Sequence, residues 1–137
     1  MATRTAAEQR AEAKLAYDAF LAGCPTRTVM ETIGDKWSGL VVTALADGPK
    51  RHGELRRVIA GVSQKMLTQT LRTLERDGLV DREVTAQVPV RVDYALTPLG
   101  ETLVPVLGAL KDWSELHMDR ILAAREAFDE QGALAPV

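Results

Sequence analysis

The chain has 137 residues and a mass of 14.9 kDa, enough to bury one core without staples or metals. Hydrophobic residues make up 46% and charged residues 26%, a balance that excludes a disordered chain; with aromatics at 4% the core must come from Leu, Val, Ile, Met and Ala. The net charge of −2 is not that of a generally basic nucleic-acid binder, no run approaches the ~20 apolar residues of a membrane span, and one cysteine excludes an intrachain disulfide.

Residues 1–22 read as one helix, rich in Ala, Glu, Gln, Arg and Lys. Leu15, Ala19 and Ala22 share a face that Tyr17, Phe20 and Leu21 broaden. This start is charged and lacks the apolar stretch of a secretory signal, so a cytoplasmic protein is expected. Gly23-Cys24-Pro25 breaks the helix, and Pro25 or Thr26 opens the next, with Val29, Met30 and Ile33 as its apolar stripe and Gly34 as its end. Asp35 is the expected N-cap of a third helix, in which Trp37, Leu40, Val41, Ala44 and Leu45 recur at helical spacing. Asp47-Gly48-Pro49 stops it, and Lys50-Arg51-His52 has room for a very short strand.

Gly53 to Ile59 reads as a short helix with Leu55, Val58 and Ile59 inward, followed by a tight turn at Ala60-Gly61-Val62. Ser63 caps the next helix, which runs to about Asp77 with Gly78 as its stop and Met66, Leu67, Leu71 and Leu74 inward. Leu79 to Thr85 and Arg91 to Leu96 are strand-like; in the second, Val92, Tyr94 and Leu96 alternate with Arg91, Asp93 and Ala95. Thr97-Pro98 opens a long helix to about Glu130, with Leu99, Leu103, Val106, Leu107, Leu110, Trp113, Leu116 and Ile121 down one side and Pro105 as a potential kink. Gln131 to Val137 reads as a frayed tail.

Two helices joined by a short Gly-containing turn make a helix-turn-helix, and a hairpin directly after the second makes it winged. The expected fold is mainly α with a small β-hairpin wing, in one domain spanning 1–137. In such a unit the second helix enters the DNA major groove by its N-terminal residues. Its polar face here carries Gln64, Lys65, Thr68, Gln69, Arg72 and Arg76 behind the Ser63 cap, with acids only at Glu75 and Asp77. Gln can pair with adenine and Arg or Lys with guanine, while Thr offers a hydroxyl or a methyl. Lys50, Arg51, Arg56 and Arg57 lie on or before the first helix of the unit, and Arg82 and Arg91 on the wing, with Gln87 to Val90 at its tip. These are candidates for phosphate, which sets affinity rather than sequence choice. Residues 50–96 hold nine Lys/Arg against six Asp/Glu, an excess of three, while the remaining residues hold eight against thirteen. The alternatives are a merely solvated helix face, a cross-strand pair of Arg91 with Glu83 or Asp81, and a winged helix that docks proteins without specific DNA binding.

No HExxH, CxxC, P-loop, GxGxxG or GxSxG motif occurs, and His52 and His117 are far apart, so neither an enzyme nor a metal or other cofactor is expected. Trp37 and Trp113 are expected in the core between the second, third and last helices, with an effector pocket as their other use; Met30, Met66 and Met118 are expected to pack.

Several ordered blocks resemble the HxlR family of bacterial winged-helix regulators, related in fold to MarR proteins. They are Cys24-Pro25 with Ile33-Gly34-Asp35-Lys36-Trp37; Gly48-Pro49-x-Arg51-x-Gly53-Glu54-Leu55-Arg56-Arg57; and Ile59-x-Gly61-Val62-Ser63-x-Lys65-Met66-Leu67-Thr68. Leu71-x-x-Leu74-Glu75-x-Asp77-Gly78-Leu79-Val80 and Val88-Pro89-x-Arg91-Val92-x-Tyr94-x-Leu96-Thr97-x-x-Gly100 continue the match, which runs from Cys24 to about Trp113. The resemblance implies a homodimer on a pseudo-palindromic double-stranded DNA operator, nucleoid-associated when bound. It also implies dimerisation through helices 1–23 and 98–130 around a core of 24–97. Repression, switched by an oxidant or a small molecule, is the expected mode. Some members of the family resemble thiol sensors, and Cys24 stands at the matching position before a helix, where the helix dipole favours thiolate. A free Cys is also a common small buried hydrophobe. His52 stands where the family usually has Phe, and the first helix is longer than in many relatives.

Overall fold

Thr5 sets where the chain becomes helical. Its hydroxyl accepts from the Glu8 N–H at 3.1 Å, and the Glu8 carboxylate accepts from the Thr5 N–H at 2.9 Å. This reciprocal capping box starts α1 at Ala6, later than expected, and the helix runs Ala6–Gly23. The computed structural model describes residues 3–134; the side chains of Leu21 and Ala22, assigned above to the apolar face of this helix, lie outside the described residues. Leu15, Tyr17 and Phe20 are exposed.

Pro25 in the first turn opens α2 (Pro25–Ile33), with Cys24 at the N-cap. The turn into α3 (Ser38–Ala44) is built by Asp35, whose carboxylate accepts from the backbone of Trp37 and Ser38, both at 2.7 Å, and from the Ser38 hydroxyl at 2.6 Å. Asp35 is therefore not the N-cap expected of it: the helix begins at Ser38 with Trp37 at the N-cap, because residues 35–37 are wrapped around the Asp35 carboxylate. The short strand expected at 50–52 is a single bridge, Lys50 with Tyr94, and His52 already belongs to α4 (His52–Val58).

Ser63 accepts from the Met66 N–H at 3.1 Å and caps α5 (Gln64–Arg76). Gly78 lies beyond its C-terminus at φ +76°, a conformation that a side chain would strain. Strands β1 (Val80–Thr85) and β2 (Arg91–Leu96) pair antiparallel, from Val80 opposite Leu96 to Thr85 opposite Arg91. Thr97 then caps α6 (Pro98–Leu134): its hydroxyl accepts from Gly100 N–H at 3.0 Å and donates to the Gly78 carbonyl at 2.6 Å. Pro105 stands inside α6, and the helix continues through Gln131–Leu134, which were expected to fray.

The core lies where α3, α4, α5 and the root of the wing converge. Val41, Val42, Leu45, Leu55, Ile59, Val62, Leu67, Leu71, Leu74 and Val80 are buried there, and Trp37, Leu103 and Leu107 pack against its edge. Several residues expected inside are not. Val58 is 59% exposed because the seven-residue α4 turns only its Leu55 side inward. Met66 and Leu40 are also exposed; Thr70 takes the buried place on α5 that Met66 was expected to fill. Val29 and Met30 are exposed, so α2 buries no residue completely. Residues 92–96 are all half-buried rather than alternating, since β2 packs on α4 and α6 as well as on β1. Trp113 is 53% exposed, beyond the reach of the core, and meets His117 of its own helix in a tilted contact, with ring centroids 4.9 Å apart. Met118 is exposed as well. No described helix is long and apolar enough to cross a membrane.

Candidate nucleic-acid interface

The buried residues of α5 fall on one side, at Leu67, Thr70, Leu71 and Leu74. That leaves Gln64, Lys65, Thr68, Gln69, Arg72 and Arg76 exposed together on the other, with Ser63 exposed at its head. The face expected from the sequence is therefore assembled as a surface. Among the described residues, Lys65, Arg72 and Arg76 take part in no ion pair. Their charges are free to meet an anion without breaking an internal contact.

Arg56 and Arg57 are exposed on α4 and likewise pair with no described carboxylate. Arg51 lies 4.0 Å from Glu54, whose carboxylate also accepts from the Arg51 N–H at 3.2 Å. Lys50 differs from its expected role: its ammonium contacts Asp47 at 2.5 Å, holding that carboxyl below its ordinary range, and its backbone is bridged to Tyr94.

On the wing, Arg91 contacts neither Glu83 nor Asp81. It pairs along its own strand with Asp93 at 2.9 Å, because the register sets it opposite Thr85. Arg82, opposite Tyr94, is the wing cation without an ion partner among the described residues. It borders a polar cleft of about 270 Å³ between α5 and the wing, shared with Thr68, Arg72, Glu75 and Tyr94. Arg82 thus joins the basic face, while Arg91 is partly neutralised.

One contact escaped the sequence reading. His52 Nε2 lies 3.0 Å from Thr68 Oγ1, which also donates to the Gln64 carbonyl at 2.8 Å. The pair ties the first residue of α4 to the exposed face of α5. Sixteen positions separate the two, so the pairing has no local signal in the chain.

Cys24 lies far along the chain from this face, half-buried at the start of α2. The Thr26 hydroxyl and the backbone N–H groups of Thr26 and Arg27, at the open first turn, hold its thiol below the ordinary range.

The profile of the HxlR-like helix-turn-helix family matches residues 32–122. The chain is 49% identical over 111 residues to the HTH-type transcriptional regulator YdeP of Bacillus subtilis (strain 168), covering 79% of this chain and 87% of that protein. Among solved structures it is similar to the transcriptional regulator ytfH from Salmonella typhimurium, at 45% identity and a TM-score of 0.69, covering 78% of this chain and 96% of that one. It is also similar to the redox regulator HypR in its reduced form, at 42% identity and a TM-score of 0.69, covering 72% and 98% respectively. A winged helix-turn-helix with this extent of likeness belongs to the HxlR-like helix-turn-helix family of transcriptional regulators.

Proposed function

We propose that the protein is a homodimeric repressor that binds a pseudo-palindromic operator in double-stranded DNA, with one α5 helix in the major groove of each half-site. The observation that carries this reading is the exposed face of α5. Gln64, Lys65, Thr68 and Gln69 at the helix's N-terminal end, followed by Arg72, form a surface of side chains able to contact bases, whose nearest acid is Glu75. Arg51, Arg56 and Arg57 on one flank, and Arg76, Arg82 and Arg91 on the other, supply phosphate contacts. Residues 24–97 act as the DNA-binding core, and the helices at 1–23 and 98–130 as the dimerising arms.

The test is a titration by fluorescence anisotropy against the DNA upstream of the protein's own gene, at two salt concentrations. Binding that weakens with salt, resists random competitor and drops tenfold or more in Arg72→Ala is expected. Salt-independent behaviour and indifference to Gln69→Ala and Arg72→Ala would favour a protein-docking winged helix instead.

Thiol oxidation at Cys24 is the proposed input, favoured by its lowered pKa and half-open position and by the likeness to HypR, a redox regulator. Cys24→Ser should then bind DNA equally before and after diamide treatment. If a small molecule is the input, the apolar groove of about 470 Å³ between α2 and α6 is its place.

A further inference from the structure

Thr68 has a single hydroxyl hydrogen and two acceptor lone pairs. Its Oγ1 lies 2.8 Å from the Gln64 carbonyl oxygen and 3.0 Å from His52 Nε2. A carbonyl can only accept, so the hydrogen goes to Gln64. For the second contact also to be a hydrogen bond, His52 must donate through Nε2–H, which both its neutral Nε2–H tautomer and its charged form can do. The three groups then form a directed chain from His52 through Thr68 to the helix backbone.

Two consequences follow for Thr68. A helical threonine otherwise divides between two χ1 wells, because its hydroxyl can reach the preceding turn from either. The bond from His52 selects the one that keeps Oγ1 against α4. In addition, the hydroxyl hydrogen is spent, so it is not available to a guanine N7 or O6, or to a phosphate oxygen. Thr68 is exposed one turn into α5, and its methyl is the largest group left to meet a base. Thymine is the base that presents a methyl in the major groove.

We propose that His52 is a positioning residue for sequence recognition: its Nε2–H holds Thr68 in one rotamer, so that Thr68 reads a thymine methyl rather than acting as a hydrogen-bond donor. The inference rests on the reading of α5 as the recognition helix. A phenylalanine at this position would keep an aromatic ring against α5 without the donor, so His52→Phe isolates what the donor contributes.

The experiment uses the full chain and a duplex that the protein enriches from a random-sequence pool. Deoxyuridine replaces each thymidine in turn, removing only the 5-methyl. In the parent protein, one position per half-site should lose about fourfold in affinity, the worth of one buried methyl. Thr68→Ser should abolish that sensitivity, and Thr68→Val should keep it. His52→Phe should reduce it to less than twofold, and His52→Gln, which retains a donor, should restore it. Thermal melts of each variant confirm that it is folded. Independently of DNA, nitrogen-15 spectra of the free protein should place the neutral His52 proton on Nε2 and show that preference relaxed in Thr68→Val. Equal methyl sensitivity in the parent and His52→Phe would overturn the positioning role while leaving DNA recognition by α5 intact. So would a neutral His52 protonated on Nδ1. Failure to enrich any duplex would instead overturn the DNA reading, and the inference with it.

Discussion

Thr32 Oγ1 donates a 2.8 Å hydrogen bond to Asp77 Oδ2, joining the last turn of α2 to the residue that closes α5. The residues are 45 apart in sequence. Because Cys24 stands at the other end of the nine-residue α2, this one helix connects the thiol to the C-terminal end of the candidate recognition helix. Both Thr32 and Asp77 also border the groove between α2 and α6. A displacement of α2 therefore reaches α5 by direct contact.

Thr32→Val removes the donor but keeps the volume. The bond is exposed, so its loss should cost about 0.5–1 kcal/mol, read as a lower urea midpoint with an unchanged slope. If α2 transmits the state of Cys24, diamide should also change the DNA affinity of this variant less than it changes that of the parent. An unaltered oxidant response would show that the signal takes another route.

Asp35 carries a pH dependence with a defined sign. Partial burial works to raise its pKa, but the Ser38 hydroxyl and the backbone N–H groups of Ser38 and Trp37 outweigh it, and the carboxyl is held below its ordinary range. A carboxyl depressed on folding adds stability that is complete above the unfolded value, about 3.9, and is lost as pH falls through the lower folded value. Asp35→Ala should cost about 1 kcal/mol at neutral pH, the usual net worth of an intramolecular hydrogen bond, because it removes the acceptor around which the turn is built. The gap to the parent should narrow below about pH 4. A gap that stayed constant down to acid would mean the carboxylate charge is not what the turn uses.

Gly100 is buried in the first turn of α6, where an added Cβ would run into the Leu79 carbonyl oxygen. That carbonyl already accepts from the Thr97 N–H at 3.0 Å, so it has little freedom to move away. Gly100→Ala should destabilise by about 1–3 kcal/mol through overpacking, although alanine is the better helix former. A thermal melt decides the sign. Stabilisation would mean that helix propensity wins at this position.

Leu116 is 76% exposed on the outer length of α6, and Leu110 and Trp113 are exposed nearby. Leu15, Tyr17 and Phe20 are exposed on α1. If these residues form the dimerising arms proposed above, pairing would remove them from water. The parent should sediment as a dimer, and Leu116→Glu should shift it toward the monomer with its helical signal retained. A parent that sediments as a monomer at micromolar concentration would remove the dimer from the proposed function.

How far the sequence could be read depended on how local the cause was. Ser63 and Thr97 were legible as caps because each acts on N–H groups within three residues; Asp35, expected as a cap, acts over the same range but builds the turn before α3, whose N-cap is Trp37. The face of α5 was legible because Leu67, Leu71 and Leu74 repeat at helical spacing, which dictates what lies opposite. The same logic failed at Met66 and Val58. Both are apolar and adjacent to buried positions, but the neighbouring elements cover only a narrow strip of α5 and α4. The start of α1 was missed although Thr5 and Glu8 carry the capping-box spacing, because propensity alone extends a helix to the chain's first residue.

By itself the sequence determined the order of the elements, the caps and turns that separate them, and which side chains share the exposed face of α5. Those depend on backbone hydrogen bonds and periodicity within a few residues. Only the tertiary structure decided that Arg91 is paired by Asp93 while Arg82 is not, that His52 holds Thr68, that Thr32 joins Asp77, and that Trp113 lies outside the core. The packing of one helix on another brings His52 to Thr68 and Thr32 to Asp77, and strand register sets Arg91 opposite Thr85 and Arg82 opposite Tyr94 rather than opposite an acid; neither has a local signature in the chain.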